Sequence, residues 1–364
     1  MPLRMRIGLL GTRGIPANYG GFETFAEELS VRLVERGHTV TVYCREKPEN
    51  PLYRGVQLRY LPTWRHKYFD TIVHTGISTA DACFRRFDVL LYCNAANAIF
   101  TLCPRLRAVP TALNVDGLER HRKKWNYLAK TWYQASEWMA TWCCSAVVTD
   151  AEKIRDYYRE RYGKDSTFIP YGAEVGKVEG TEALNALGLS PGNYVLYVSR
   201  LEPENNALAV REAFEKVRTK QKLALVGDAP YAAEYIRKVR QTADPRVIIP
   251  GAIYGEGYRQ LQSHCSVYVQ ATEVGGTHPA LIEAMGRGAL VLYLNTPENQ
   301  EVAGEAGIPF EDDLVRKLQW AVEISPEERA EWGARAMKRV ERLYSWNAVT
   351  NAYERLFCRL LPAQ

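Results

Sequence analysis

An arginine, an aspartate and two glycine-rich turns carry the chemistry this sequence offers. Arg200 directly follows the apolar run NYVLYVS. A loop leaving the C-terminal end of a buried parallel strand lies where such sheets bind ligands, and a guanidinium there suits a bidentate grip on phosphate. The stretch Gly275-Gly276-Thr277-His278-Pro279 runs into helical text around Ala280–Arg287. Proline suits the first turn of a helix, and glycines ahead of it leave the helix N–H groups open to an anion. Gly20-Gly21 stand in the same relation to a helix beginning near Phe22. Asp116 follows the run TALNV and precedes Gly117. It is either a carboxylate at the ligand edge of a sheet or the N-cap of the next helix.

Gly8, Gly11 and Gly14 add a G-x-x-G-x-x-G spacing after the first strand. In a dinucleotide-binding turn the helix starts at the third glycine. Here Ile15-Pro16-Ala17-Asn18-Tyr19-Gly20-Gly21 intervenes, and Pro16 keeps Ile15 out of helical geometry. The turn is then a phosphate or sugar contact at Gly20-Gly21, or a plain strand-to-helix connection. An NAD(P)-dependent oxidoreductase is a rival that this insertion argues against.

The elements that must hold these groups alternate along the chain. Strand text appears at MRIGLL, TVTVYC (39–44), VQLRYLP (56–62), DVLLYC (88–93), TALNV (111–115), AVVTD (146–150) and TFIPYG (167–172). Helical text lies between, with Phe22, Phe25, Leu29 and Leu33 on one stripe. Buried strands alternating with helices make a parallel sheet covered on both faces. The pattern restarts at NYVLYVS, KLALVGD, VIIPGA, VYVQATE and ALVLYLN. The expected architecture is α/β, with two Rossmann-like domains facing a central cleft. The first spans 1–175 and the second 190–345, connected through 173–192. The helical tail breaks near Tyr344–Asn347, and a last helix at about 346–364 is placed to cross back to the first domain.

Composition sets the outer bounds. A chain of 364 residues exceeds one ordinary core, and 46% hydrophobic with 24% charged residues is the balance of a soluble globular protein. No apolar run is long enough for a membrane span. The opening MPLRMRIGLLGTRG reads as a first strand entering a turn rather than a signal peptide, so the chain is expected to stay in the cytoplasm. A net charge of +5 implies no nucleic-acid partner. The eight cysteines form no C-x-x-C pair and read as reduced thiols. The six histidines have no ligand spacing, so no metal is expected.

Seven segments occur in a recognisable order: GTRGIPANYGGFET (11–24), NVDGLERHRKKW (114–125), FIPYGA (168–173), SRLEPENN (199–206), LVGDAPY (225–231), PGAIYG (250–255) and EVGGTHPALIEAM (273–285). The set resembles a bacterial subgroup of glycosyltransferase family 4 that includes β-1,4-rhamnosyltransferases of capsule and cell-wall polysaccharide synthesis. The resemblance implies a retaining, metal-independent GT-B enzyme without a cofactor, taking a sugar from a nucleotide-diphosphate donor. dTDP-L-rhamnose is the favoured donor, with UDP-glucose, UDP-galactose or GDP-mannose as alternatives. A lipid-linked saccharide is the implied acceptor. Sugar-nucleotide epimerases share the architecture and form a further alternative, as does an idle nucleotide-sugar-binding subunit.

The same resemblance distributes roles. Donor contacts fall on Gly20, Gly21, Arg200, Asn205, Gly275, Gly276, Thr277 and His278, with Glu283 at the ribose and Tyr254 against the nucleobase. The acceptor side holds Arg13, Asn18, Tyr19, Glu23 and Asp116. Asp116 binds the acceptor hydroxyl, takes its proton, or stabilises oxocarbenium charge. Two departures stand out: Asn205 occupies the place of a family lysine, and Gly275 that of a family glutamate, with Glu273 two positions out of register.

Four of the eight tryptophans lie between 125 and 142. Trp125, Leu128, Trp132, Ala135, Met139 and Trp142 recur at helical spacing and read as a core stripe. Tyr127 and Trp138 point the other way, beside Lys130, with Lys123 and Lys124 just ahead. Cations with interfacial aromatics suit an anionic membrane surface. The expected location is therefore peripheral, on the inner face of the cell membrane; the alternative is a solvated basic helix face.

Overall fold

The structure, a computed structural model, describes residues 4–17, 20–64, 70–115, 117 and 127–362. It divides into two compact units, Met1–Tyr171 with Trp346–Gln364, and Gly172–Ser345.

The first unit is built on eight strands: β1 (Arg6–Leu10), β2 (Thr39–Cys44), β3 (Leu52–Tyr53), β4 (Val56–Tyr60), β5 (Val89–Cys93), β6 (Thr111–Asn114), β7 (Ala146–Thr149) and β8 (Thr167–Phe168). Their order across the sheet is β3-β4-β2-β1-β5-β6-β7-β8. All neighbours are parallel except the β3–β4 pair. Ile7 stands level with Val40 on one side and Val89 on the other. These runs are apolar throughout because both faces are covered, and Leu10, Leu90, Leu113 and Val147 are fully buried in one core. Each such side chain contributes about 1.5–3 kcal/mol of transfer free energy.

The helix Gly21–Glu35 buries Phe25, Leu29 and Leu33 of the expected stripe, with Ala26 beside them, while Phe22 is only half-buried. The last helix, Trp346–Leu360, belongs to this unit and packs on that face, with the Phe25 and Tyr353 ring centroids 5.3 Å apart. Arg36 Nη1 donates to Glu354 at 2.8 Å and to Asn351 at 2.6 Å, closing the edge of this contact.

The helix Tyr127–Cys143 is where the sequence reading needs correction. Its buried face is Tyr133, Ser136, Glu137, Ala140 and Cys143, and Trp142 is exposed rather than in the core. The interior accepts a carboxylate there because Tyr157 and Tyr162 donate to Glu137 at 2.9 and 3.3 Å. A hydropathy pattern cannot register such a contact, so the helix is rotated from its most apolar stripe. Trp125 and the side chain of Leu128 lie outside the described residues.

The second unit holds β9 (Tyr194–Val198), β10 (Lys222–Val226), β11 (Val247–Gly251), β12 (Val267–Gln270), β13 (Leu290–Leu294) and β14 (Ile308–Phe310). They form one parallel sheet in the order β11-β10-β9-β12-β13-β14. The chain leaves β9 toward β10 and returns on the other side at β12, so the topological switch lies between β9 and β12. β14 escaped the sequence reading because three residues with a central proline carry no periodicity; Pro309 is tolerated at a sheet edge. The segment after Gly172 packs on this unit. Ala183 N–H donates to Gln260 Oε1 at 2.9 Å, Val178 N–H to Ser263 Oγ at 3.1 Å, and Arg287 Nη1 to the Gly176 carbonyl at 2.7 Å. Among the described residues, no helix is long and apolar enough to cross a membrane.

Candidate active site

In the second unit the chemistry-bearing loops leave adjacent strands at the same edge. Ser199–Asn206 follows β9, and Ala271–His278 follows β12. The loops are fastened to each other: Glu273 N–H donates to the Glu204 carbonyl at 3.0 Å. Asn206 Nδ2 donates to the Ala271 carbonyl at 2.9 Å and to Glu273 Oε1 at 2.8 Å. Arg200 is therefore mounted on a braced loop. Its side chain is 41% exposed, with Nε 3.9 Å from a carboxylate oxygen of the buried Glu202, which also accepts from the Tyr231 hydroxyl.

Asn205 is buried, and its amide turns inward. Nδ2 donates to the Arg200 carbonyl at 2.7 Å, while the Tyr197 hydroxyl donates to the Asn205 carbonyl at 2.6 Å. The asparagine thus sets the backbone from which Arg200 projects. Gly227, ending the neighbouring β10, lets the loop pass. Its φ is +150°, and a Cβ there would stand 1.7 Å from the Ser199 carbonyl oxygen.

The helix Pro279–Gly286 starts from His278 as N-cap, with proline in its first turn. A Cβ on Gly275 would meet the His278 ring at 2.7 Å, so the imidazole lies over the glycine where any side chain would stand. Thr277 is buried beside them. Pro279 has no N–H and Leu281 N–H donates to the His278 carbonyl at 3.1 Å, so what this helix start offers an anion is chiefly its partial positive charge. Glu283, one turn in, accepts from the Tyr258 hydroxyl at 2.5 Å, and Gln262 Nε2 donates to that hydroxyl at 2.8 Å. Tyr258 escaped the sequence reading; its only signal is its place one helical turn beyond Tyr254, whose ring is exposed at the N-cap of the helix Gly255–His264.

In the first unit the glycine turn is shaped by its neighbours. A Cβ at Gly8 would meet Leu90 at 2.4 Å, at Gly11 the Cys93 carbonyl at 2.4 Å, and at Gly14 Cys44 Sγ at 2.6 Å. These three glycines answer to packing against β5 and β2. Beyond them, two glutamates of the following helix hold the loop. Glu23 accepts from Arg13 N–H at 3.0 Å, and Glu27 from Ala17 N–H at 2.6 Å and the Tyr53 hydroxyl at 2.7 Å. Burial pushes the Glu23 carboxyl up, against the backbone N–H groups of Arg13 and Glu23 and the charges of Arg45 and Arg13.

Arg45 closes the arrangement from below. It is buried, and its guanidinium donates to the Thr12 carbonyl at 3.1 Å, the Gly11 carbonyl at 3.4 Å and Asp70 at 2.8 Å. Neither Arg45, Asp70 nor Glu27 was singled out from sequence. An arginine directly after the buried run TVTVYC was the available signal. Gly20 caps the helix in extended geometry, and the Arg13 side chain is exposed. Asn18, Tyr19, Asp116, Lys123 and Lys124 lie outside the described residues. The strand leading toward Asp116 is placed by Asn114, whose Nδ2 donates to the Tyr353 hydroxyl at 2.9 Å. Tyr127, Lys130 and Trp138 are exposed on one helix face.

Residues 19–176 match the family model for Glycosyltransferase Family 4, and residues 192–324 that for Glycosyl transferases group 1. None of the curated proteins matches the chain. Several solved structures do. Sucrose-phosphate synthase from Thermosynechococcus elongatus is 18% identical, over 98% of this chain and 99% of that one, with a TM-score of 0.79. HepE from Anabaena, in complex with UDP-glucose, is 14% identical over 97% and 99%, with a TM-score of 0.78. WaaG, a glycosyltransferase involved in lipopolysaccharide biosynthesis, is 15% identical over 97% and 99%, with a TM-score of 0.74. At these identities the likeness shows the fold, which is GT-B.

Proposed function

We propose that this chain, a glycosyltransferase of GT-B fold with a family 4 and a group 1 domain, is a retaining enzyme. It moves L-rhamnose from dTDP-L-rhamnose to a lipid-linked saccharide in cell-surface polysaccharide synthesis. The observation that carries the reading is the fastening of the loops after β9 and β12, which presents Arg200 and the helix start at His278–Pro279 along one strand edge. A guanidinium and a helix N-terminus on neighbouring, fastened loops suit the negative charge that builds on a departing diphosphate.

In this reading Arg200, Gly275, Gly276, Thr277 and His278 take the diphosphate, with Asn205 positioning Arg200. Glu283, oriented by Tyr258, takes the ribose, and Tyr254 lies against the base. Gly20 and Gly21 complete the donor contacts. Arg13, Asn18, Tyr19, Glu23 and Asp116 form the acceptor side. The bond from the anomeric carbon to the diphosphate oxygen breaks, the acceptor oxygen bonds that carbon on the same face, and its proton passes to the leaving phosphate or to Asp116. No metal is needed, because the cationic groups supply the charge stabilisation. The enzyme works at the inner face of the cell membrane, meeting it through Lys123, Lys124, Tyr127, Lys130 and Trp138.

A UDP-hexose donor is the second reading, favoured by the likeness to HepE, which holds UDP-glucose. Thermal-shift binding of dTDP-rhamnose, UDP-glucose and GDP-mannose, with and without magnesium, separates the two. A ligand that binds only the folded state raises the midpoint by mass action. A magnesium-independent shift with dTDP ligands is expected. A shift with UDP ligands alone would move the donor to UDP-glucose, and none with any nucleotide sugar would sink the proposal.

A further inference from the structure

Strands β5, β6 and β7 are parallel neighbours, so the three helical segments that feed them end along one edge of the first unit. Those ends carry large apolar side chains in water. Phe84 is 85% exposed after the first, Leu106 is 78% exposed at the end of the second, and Trp142 is 41% exposed near the end of the third. Trp138, one turn back, is exposed too and meets Trp142 edge-on, with centroids 5.4 Å apart. Single exposed hydrophobics need no explanation; a joined set does.

Arginines join this set. The Arg105 guanidinium donates to the Trp142 carbonyl, and Arg107 lies over the Phe84 ring at 5.9 Å. Leu106 sits between them in the chain. Their partners here are the carbonyls of Trp142, Cys143 and Cys144 and an aromatic face, which leave the positive charge standing. Phe84 is followed by Arg85 and Arg86, both exposed. The carboxylates nearby are already matched: Asp81 pairs with Arg59 and Arg85, and Asp88 with Arg6. The edge is therefore apolar and cationic together.

We propose that this edge is a docking surface for an anionic phospholipid bilayer, seated by Phe84, Leu106, Trp138 and Trp142 and drawn in by Arg86, Arg105 and Arg107. Aromatic and aliphatic side chains enter the headgroup boundary while arginines meet lipid phosphates. The inference rests on the peripheral-membrane part of the proposed function, shares Trp138 with it, and adds a second contact at the far end of the helix Tyr127–Cys143, about 22 Å along the helix from Tyr127.

The test uses the full chain and vesicles of phosphatidylglycerol in phosphatidylcholine, or phosphatidylcholine alone, at low and high salt. Wild type is expected to sediment with the anionic vesicles at low salt, and brominated lipids should quench fluorescence that Trp138→Phe with Trp142→Phe removes. The triple variant Phe84→Ser, Leu106→Ser, Trp142→Ser should bind at least about tenfold more weakly, and Arg86→Gln with Arg107→Gln should lose most of the salt-sensitive part. Equal binding by wild type and the triple variant, or no binding by wild type, overturns the surface. So does a concentration-dependent dimer that the triple variant dissolves, because a second copy then covers the edge. Nucleotide-sugar thermal shifts run in parallel keep the readings apart: in the wild type, no vesicle binding with an intact shift strikes the surface, and a missing shift with vesicle binding strikes the transferase reading; in the triple variant, weakened vesicle binding with an intact shift supports the surface.

Discussion

Asn114 Nδ2 donates a 2.9 Å hydrogen bond to the hydroxyl of Tyr353, joining the strand that leads toward Asp116 to the last helix of the chain. Tyr353 is fully buried and also packs on Phe25 and Phe357. Tyr353→Phe keeps the ring contacts and removes the bond. It should cost about 1 kcal/mol in urea unfolding, and kcat should fall more than donor KM changes. An unchanged unfolding midpoint would show that the bond contributes nothing.

In the proposed function Asp116 is the carboxylate of the acceptor side. Asp116→Asn should fold with the wild-type melting temperature and lose at least about a hundredfold in turnover. Wild-type turnover in that variant would remove the aspartate from the mechanism.

Tyr258 orients Glu283 through a 2.5 Å hydrogen bond. Tyr258→Phe should raise donor KM by roughly five- to tenfold, the equivalent of about 1–1.4 kcal/mol, with little change in kcat. Steady-state kinetics with varied donor would show it. A fall in kcat at constant KM would mean that Glu283 serves the chemical step instead.

Gly227 and Gly192 both have positive φ, at +150° and +70°, but only Gly227 is crowded, since nothing lies within 4 Å of a Cβ at Gly192. Gly192→Ala should cost about 1–2 kcal/mol from backbone strain alone. Gly227→Ala must also displace the Ser199 carbonyl and should cost upwards of about 3 kcal/mol or prevent folding. Equal thermal midpoints for the two variants would contradict this account of the β9–β10 edge.

His74 is buried, with Nε2 3.1 Å from the Cys44 carbonyl, which it meets as a neutral N–H donor. Burial pushes its pKa down to about 4, and the charge of Arg45 acts in the same direction. A folded value below the unfolded one of about 6.5 means the stability is fully present above that pH. It is lost as pH falls from about 6.5 toward 4, because the unfolded chain takes the proton first. Between pH 7.5 and 5 this should remove roughly 2 kcal/mol of unfolding free energy. A His74→Gln variant should show a correspondingly shallower slope, read from urea midpoints at the two pH values; parallel slopes would exclude the histidine as the cause.

The sequence by itself determined the two α/β repeats, most strand positions and the loops that follow them, because buried parallel strands write themselves as short apolar runs bounded by turns. It also placed Arg200, Gly275–His278 and Glu283, since a residue just beyond a strand or at a helix start has its location set by local chain direction. The tertiary structure alone decided how those groups are held. Asn205 turns inward to the Arg200 carbonyl, Tyr258 reaches Glu283, Arg45 ties the glycine turn to Asp70, and Tyr353 meets Asn114 from the opposite end of the chain. The same holds for the helix Tyr127–Cys143, whose buried Glu137 outranks its tryptophans. Periodicity records which face of an element is apolar on average. Partner choice depends on sheet order, register and side-chain reach between segments distant in sequence, and those are fixed only when the whole chain has packed.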